Sequence, residues 1–303
     1  TQRRTLATPY ACVSSDRLAE RVTAALDKPG SRLLLHATAE QIEEDRVVVR
    51  ATSGRHEIAA TAVIDARGPD RATVTACGWQ KFLGQELVLD APHGLDRPML
   101  MDATIEQRDG FRFMYVLPLA ADRVLVEDTY FSDGTYLDAE AIRGEIAAYV
   151  AARGWTARVV REETGVLPMP WELAPPSATA PLVAGYAGSW FHPVTGYSFP
   201  IAARLAAFVA ARPASELFGA ELTAFAAAHA RQLAFAQRLT RMMFRWFLPA
   251  QRHHVLARFY RLPDEAIRRF YALELTTMDR ARIFAGAPPR GMSWRAVLGM
   301  ETR

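Results

Sequence analysis

Apolar positions along the 303-residue chain change period several times, and each change marks an element. Leu18, Val22 and Leu26 recur at helical spacing behind Ser14 and Ser15, which predicts a capped helix over 16–26 that stops at Pro29-Gly30. Strand-like runs follow at 32–37, 46–51 and 56–60, and Ala62-Val-Ile-Asp65 reads as a buried strand ending in the glycine turn Ala66-Arg-Gly-Pro69. Four further runs, at 81–90, 99–107, 112–119 and 123–131, are separated by Gly and Asp turns and predict an antiparallel sheet. The connection between the last two is short enough to make them a hairpin. Ile142, Ile146, Tyr149 and Val150 form one stripe of a helix over 138–152, and another strand covers 157–168. A Pro-rich link over 168–181 leads into an apolar strand that begins at Leu182 and runs to Gly188. From Tyr197 the period is helical, with Ile201, Leu205, Phe208 and Val209 apolar. Beyond residue 214, Phe235, Leu239, Met242, Met243 and Trp246 mix with arginines at helical intervals.

Composition agrees with a folded chain: 50% of residues are hydrophobic and 23% are charged, enough apolar side chain for a sizeable core. Cys12 and Cys77 are the only cysteines and lie in no metal or paired spacing, so a reducing compartment is expected and a disulfide framework or zinc site is not. The net charge of +3 is uneven, because residues 231–303 carry 14 arginines and five acidic residues. That excess reads either as solvated helix faces or as a surface for anionic headgroups. No run of 18 apolar residues occurs and the start lacks a signal-peptide core, so a soluble or peripheral protein is expected. No GxGxxG turn occurs in the chain.

Three stretches carry candidate chemistry. In Arg123-Val-Leu-Val-Glu-Asp-Thr-Tyr-Phe-Ser-Asp133 a strand holds two adjacent acids, which alternation sends to opposite faces. A carboxyl group in an apolar wall resists ionisation and can hold a proton near neutral pH, but alternation alone does not choose between Glu127 and Asp128. Asp102, within Pro98-Met-Leu-Met-Asp-Ala103, and the adjacent Glu162 and Glu163 are further acids beside apolar residues. The third stretch, Gly185-Tyr-Ala-Gly-Ser-Trp-Phe-His-Pro-Val-Thr-Gly-Tyr-Ser198, joins a strand to a helix, where glycines admit close backbone approach and a helix N-terminus favours negative charge.

The phrases Leu125-Val-Glu-Asp-Thr129, Met99-Leu-Met-Asp-Ala103, Phe111-Arg-Phe-Met-Tyr-Val-Leu-Pro118, Arg161-Glu-Glu-Thr-Gly-Val-Leu-Pro168 and Phe191-His-Pro-Val-Thr-Gly-Tyr-Ser198, in this order and spacing, closely resemble the bacterial lycopene β-cyclases. The resemblance implies a mixed α+β and α/β architecture similar to flavoprotein hydroxylases, with a bipartite FAD domain interrupted by an antiparallel-sheet substrate domain. On that pattern, residues 1–70 are the remaining part of the FAD domain, 71–170 the substrate sheet, 171–213 the returning FAD segment, and 214–303 a helical region that contacts the membrane. The family's glycine-rich βαβ unit would lie ahead of Thr1, so its absence here leads to the expectation that the chain is a truncated form.

The implied reaction is non-redox cyclisation of the ψ ends of lycopene to β rings, through γ-carotene, assisted by reduced FAD with NAD(P)H as reductant. Glu127 matches the family's acid, with Asp128, Asp102 and Glu163 as supporting acids. Asp65, Gly68, Pro69, Gly185, Gly188, His192, Pro193, Thr195, Gly196 and Tyr197 are the implied flavin contacts. The implied location is cytoplasmic, peripheral to the inner face of the membrane. The competing expectations are a related flavoprotein isoprenoid reductase or hydroxylase, and a non-catalytic carotenoid- or membrane-binding remnant.

Overall fold

The computed structural model describes residues 3–68 and 76–298. Helix α1 (Ser15–Leu26) begins where the Ser14 side chain accepts the Arg17 N–H at 3.2 Å. A three-stranded antiparallel sheet follows, built from β1 (Thr38–Ile42), β2 (Arg46–Ala51) and β3 (Gly54–Ala59). The expected strand at 32–37 does not form, and Leu33, Leu34 and Leu35 are exposed. Hydrophobicity alone suggested that run, but the strand that forms, β1, starts six residues later, where Thr38 and Ile42 meet β2.

Strand β4 is confined to Ile64–Asp65 and pairs in parallel with an equally short β10 (Leu182–Val183), which joins two segments far apart in sequence. Both runs were expected to be longer, and Ile64 is exposed rather than buried. Pro69 lies outside the described residues.

The centre of the molecule is a five-stranded antiparallel sheet in the order β6-β7-β8-β5-β9. Its strands are β5 (Cys77–Leu89), β6 (Met99–Asp102), β7 (Phe111–Ala120), β8 (Arg123–Ser132) and β9 (Ala157–Pro170). Strand β6 is shorter than the expected 99–107, because Asp102 turns the chain by accepting the Thr104 N–H at 3.1 Å. Strands β7 and β8 form the expected hairpin.

Helix α2 (Ala139–Ala151), capped by Asp138, buries Ile142, Ile146, Tyr149 and Val150 against one face of this sheet. They pack there with Leu83, Met114, Val116, Val124 and Val126. The opposite face carries Phe111, Phe113, Phe131 and Met169, and it is covered by Met243 and Phe244 of α4 (Ala220–Trp246). Helix α3 (Phe199–Ala210) buries Ile201 and Leu205 in a separate cluster with Leu182, Trp190 and Leu222. Four short helices complete the chain: α5 (His253–Phe259), α6 (Asp264–Tyr271), α7 (Thr277–Phe284) and α8 (Trp294–Val297).

Arg252 fastens the helical region to the sheet. Its buried guanidinium donates to the Phe131 carbonyl at 3.1 Å and the Phe244 carbonyl at 3.4 Å, pairs with Asp133, and lies 4.5 Å from the Phe244 ring centroid. Among the described residues no helix is long and apolar enough to cross a membrane.

Candidate active site

Register fixes where the two adjacent acids point. Glu127 pairs with Tyr115 of β7 and Gly84 of β5, in line with Phe113, Phe131 and Phe111 on the face covered by α4. Asp128 pairs with Met114 and Leu83 on the α2 face. The two carboxylates are therefore separated by the sheet and cannot share a proton.

Their environments differ accordingly. Asp128 is fully buried and accepts from Arg112 through Nε at 2.9 Å and Nη2 at 2.7 Å, and from the Tyr130 hydroxyl at 2.9 Å. Arg112 is equally buried and reaches Glu145 at 3.0 Å, so the charges form a closed structural network. Glu127 is partly buried, and the hydrogen bond it receives from a side chain comes from Thr129 Oγ1 at 2.6 Å. Burial raises its pKa to about 7, the Thr129 hydrogen bond opposes that rise, and the charges of Glu163 and Asp128 add to it. Such a carboxyl group is a proton donor poised near neutral pH.

The remaining acids divide by position. Glu163 lies on the Glu127 face, across Gly84, with its carboxylate paired to Arg161 at 2.6 Å and exposed. Two strand spacings separate the two acids, or about 10 Å. A Cβ on Gly84 would stand 3.3 Å from Glu127 Oε2, so the missing side chain leaves the carboxyl its space. Glu162 points the other way, held by Arg143 at 2.7 Å and Gln85 at 2.9 Å, with its pKa lowered to about 2 chiefly by Arg143. Asp102 accepts from the Tyr149 hydroxyl at 2.7 Å and Arg153 at 3.1 Å. Burial pushes its pKa up, but bonds from Thr104, Tyr149 and Arg153 outweigh it and keep the group ionised. The structure thus brings Glu163 to the face of Glu127 and leaves Asp102, Asp128 and Glu162 in ion-paired or hydrogen-bonded positions.

Four tyrosines that sequence reasoning did not single out as site residues gather near Glu127. Tyr115 is directly opposite it, and its hydroxyl donates to that of Tyr10, whose ring stands edge-on at 6.1 Å. The Tyr260 and Tyr271 hydroxyls are 2.6 Å apart, and Tyr260 also reaches Met101 Sδ at 3.4 Å. Arg4 crosses from the N-terminal segment to the Tyr260 carbonyl at 3.0 Å and pairs with Asp264. The available signals were the period-two series Phe111, Phe113, Tyr115 and the place of Thr129 two residues beyond Glu127.

The strand-to-helix loop holds the other predicted residues. Ala184 N–H donates to the Asp65 carbonyl at 2.7 Å, so β4 and β10 end side by side. The Asp65 carboxylate is paired with Arg67 at 2.8 Å, which lowers its pKa. A Cβ on Gly188 would stand 1.8 Å from the Val183 carbonyl oxygen, so only glycine permits this turn. Gly68 and Gly185 stand at the ends of β4 and β10, each with open space where a side chain would begin. His192 is fully buried, with Nε2 donating to the Phe270 carbonyl at 2.9 Å and Nδ1 accepting the Val194 N–H at 3.2 Å. Burial lowers its pKa to about 4, so it is a neutral clasp between loop and α6. Pro193 is buried beside it, Thr195 Oγ1 accepts the Tyr197 N–H at 3.3 Å, and the Tyr197 ring is exposed.

Two features of this loop suit a flat polar ligand. Gln80 Oε1 is buried without a hydrogen-bond partner and lies 3.3 Å from where a Gly196 Cβ would stand. Ser198, the N-cap of α3, makes no side-chain capping bond, and because Pro200 has no N–H the backbone donors that start the helix are those of Phe199 and Ile201. Gln80 also faces the same side of the sheet as Glu127, four residues along β5 from Gly84.

The chain matches the family described as "Lycopene cyclase protein" over residues 1–297. It is 42% identical over 242 residues to a lycopene β-cyclase of a Paracoccus species, covering 77% of this chain and 62% of that relative. It is 40% identical to the lycopene β-cyclase of Pseudescherichia vulneris, covering 98% of this chain and 78% of the relative. The corresponding figures for the Pantoea ananas lycopene β-cyclase are 38%, 95% and 76%. Among solved structures, p-nitrophenol 4-monooxygenase from Pseudomonas putida superposes with a TM-score of 0.52 at 16% identity, covering 89% of this chain and 72% of that one. A flavin-dependent brominase gives 0.52 at 12% identity, covering 84% and 69%. These last two are likenesses of fold alone. With the family match spanning nearly the whole chain and identity near two in five to cyclases on either measure, the chain belongs to the lycopene cyclase family.

Proposed function

We propose that the chain is a lycopene β-cyclase that closes the ψ ends of lycopene into β rings, giving β-carotene through γ-carotene. The observation that carries this reading is Glu127, a carboxyl group with its pKa raised to about 7 on an aromatic sheet face. Lycopene is a hydrocarbon without a polar handle, so cyclisation begins with a proton added to its terminal double bond. Glu127 is the donor, and Thr129, bonded to its Oε1 at 2.6 Å, fixes which oxygen faces the substrate. Phe111, Phe113 and Phe131 line the same face and keep water from the cation that follows. Asp128, bound to Arg112 on the other face, holds β7 and β8 in register so that Glu127 keeps its aim.

The loop from Gly185 to Tyr197, the end of β4 at Asp65 to Gly68, and Gln80 suit a flavin, which the related folds also bind in the case of the brominase. Gln80 and the Phe199 N–H at the start of α3 would hold its polar edge, with His192 and Pro193 shaping the loop around it. When bound in reduced form, maintained by NAD(P)H, FAD supplies negative charge that stabilises a cation electrostatically. Lycopene is drawn from a membrane surface: Met278, Phe284, Trp294 and Leu298 are exposed on or beside the arginine-rich C-terminal helices, as suits peripheral contact with an anionic leaflet.

Anaerobic incubation of the chain with reduced FAD and lycopene in detergent or vesicles tests the reading. Conversion to γ- and then β-carotene without consumption of reductant is expected. Flavin-loaded, folded protein that leaves lycopene unchanged would overturn it.

A further inference from the structure

The inference deepens the cyclase reading and rests on it. Ring closure moves positive charge along a carbon skeleton that has nothing polar to carry it. The electron pair of the terminal double bond takes the Glu127 proton, leaving a tertiary cation at the chain end. The next double bond supplies the pair that closes the ring, and the charge moves to its methyl-bearing carbon. The C–H pair on the adjoining ring carbon then becomes the ring double bond, and the released proton returns to a carboxylate. One proton enters and one leaves, so the product is an isomer and no oxidant or reductant is consumed.

The side chain best placed to meet that charge is an aromatic ring. Tyr115 is directly opposite Glu127 on the same face of β7, a relation that brings Cβ atoms to within about 5 Å. Phe111, Phe113 and Phe131 share the face but are packed to 4% exposure or less, whereas Tyr115 is partly buried and borders the acid. Its hydroxyl is bound to Tyr10, and the Tyr260 and Tyr271 hydroxyls are bound to each other. With these hydroxyls tied up in phenol pairs, the rings rather than nucleophilic oxygens are what a cation meets. Burial, then the neighbouring Tyr10 and Glu127, push the Tyr115 phenol far above its ordinary pKa, so the ring stays neutral and keeps an electron-rich face.

We propose that Tyr115, backed by Tyr10, is a further catalytic residue whose ring face carries the carbocation between protonation by Glu127 and loss of the ring proton. Replacement of Tyr115 by phenylalanine preserves the face and should retain most of the turnover, while Tyr115→Leu should lose about 10- to 30-fold. Incorporation of mono-, di- and trifluorinated phenylalanine at position 115 withdraws electron density without changing the packing. Turnover falling stepwise along that series, in protein with unchanged circular dichroism, is the expected result, and a packing role would not produce it. Equal turnover across the fluorinated series would overturn the assignment of Tyr115 and leave the cyclase reading intact. Failure of the unsubstituted chain to convert lycopene in the same assay would overturn both.

Discussion

Two neighbouring carboxyl groups in one strand do different work because the pleat sends them into different surroundings. Glu127, with its pKa raised to about 7, should give a turnover that falls about tenfold per pH unit above that value, as a steady-state pH profile can measure. The same shift has a stability consequence of definite sign. A folded-state pKa above the unfolded one means that protonated Glu127 favours the fold below the unfolded value of 4.5, and that this contribution is lost as pH rises to about 7. Denaturant titrations at pH 5 and pH 8 should therefore show a loss in the unmodified chain that Glu127→Gln reduces. Asp128 serves the fold rather than the chemistry: Asp128→Ala strands the buried Arg112 guanidinium and should cost about 3–5 kcal/mol of unfolding free energy. Denaturation of that variant near the unmodified midpoint would contradict the structural role given to the pair.

Among the elements, strong periodicity was legible and pairing was not. The α2 stripe Ile142, Ile146, Tyr149 and Val150 is buried as its spacing predicts, and the β7–β8 hairpin follows from its short connection. The run at Leu33–Leu35 has the hydrophobicity of a strand without a partner in the described residues, and strand formation depends on a partner. At the site, alternation separated Glu127 from Asp128 from the sequence alone, but it could not weigh them. That weighing needs the Arg112 guanidinium, which reaches Asp128 from the neighbouring strand on one face, and the aromatics of β7 beside Glu127 on the other. The tyrosine cluster draws on residues 10, 115, 260 and 271, which only the tertiary fold assembles. Backbone crossings carry their own prediction. Gly188→Ala would set a Cβ 1.8 Å from the Val183 carbonyl oxygen, so it should displace the loop and weaken flavin binding, read by fluorescence titration. Flavin affinity equal to that of the unmodified chain would argue against this loop as the flavin contact.

The molecule as a whole combines a five-stranded sheet with apolar clusters on both faces and a basic helical region. Arg252 ties that region to the sheet through the Phe131 and Phe244 carbonyls, so the helices and the acid-bearing face behave as one unit. If the arginine-rich segment meets a membrane, the chain should sediment with vesicles containing anionic lipid and release as salt rises. Replacement of Trp294 and Leu298, both well exposed, by serine should weaken sedimentation further without lowering the unfolding midpoint. The central claim, that Glu127 delivers the proton that starts ring closure, is tested most directly by cyclisation in deuterated water. The account predicts β-carotene carrying one solvent deuterium per ring from the unmodified chain, and no cyclised product from a Glu127→Gln variant that still binds flavin. Labelled β-carotene formed by Glu127→Gln at the rate of the unmodified chain would contradict it.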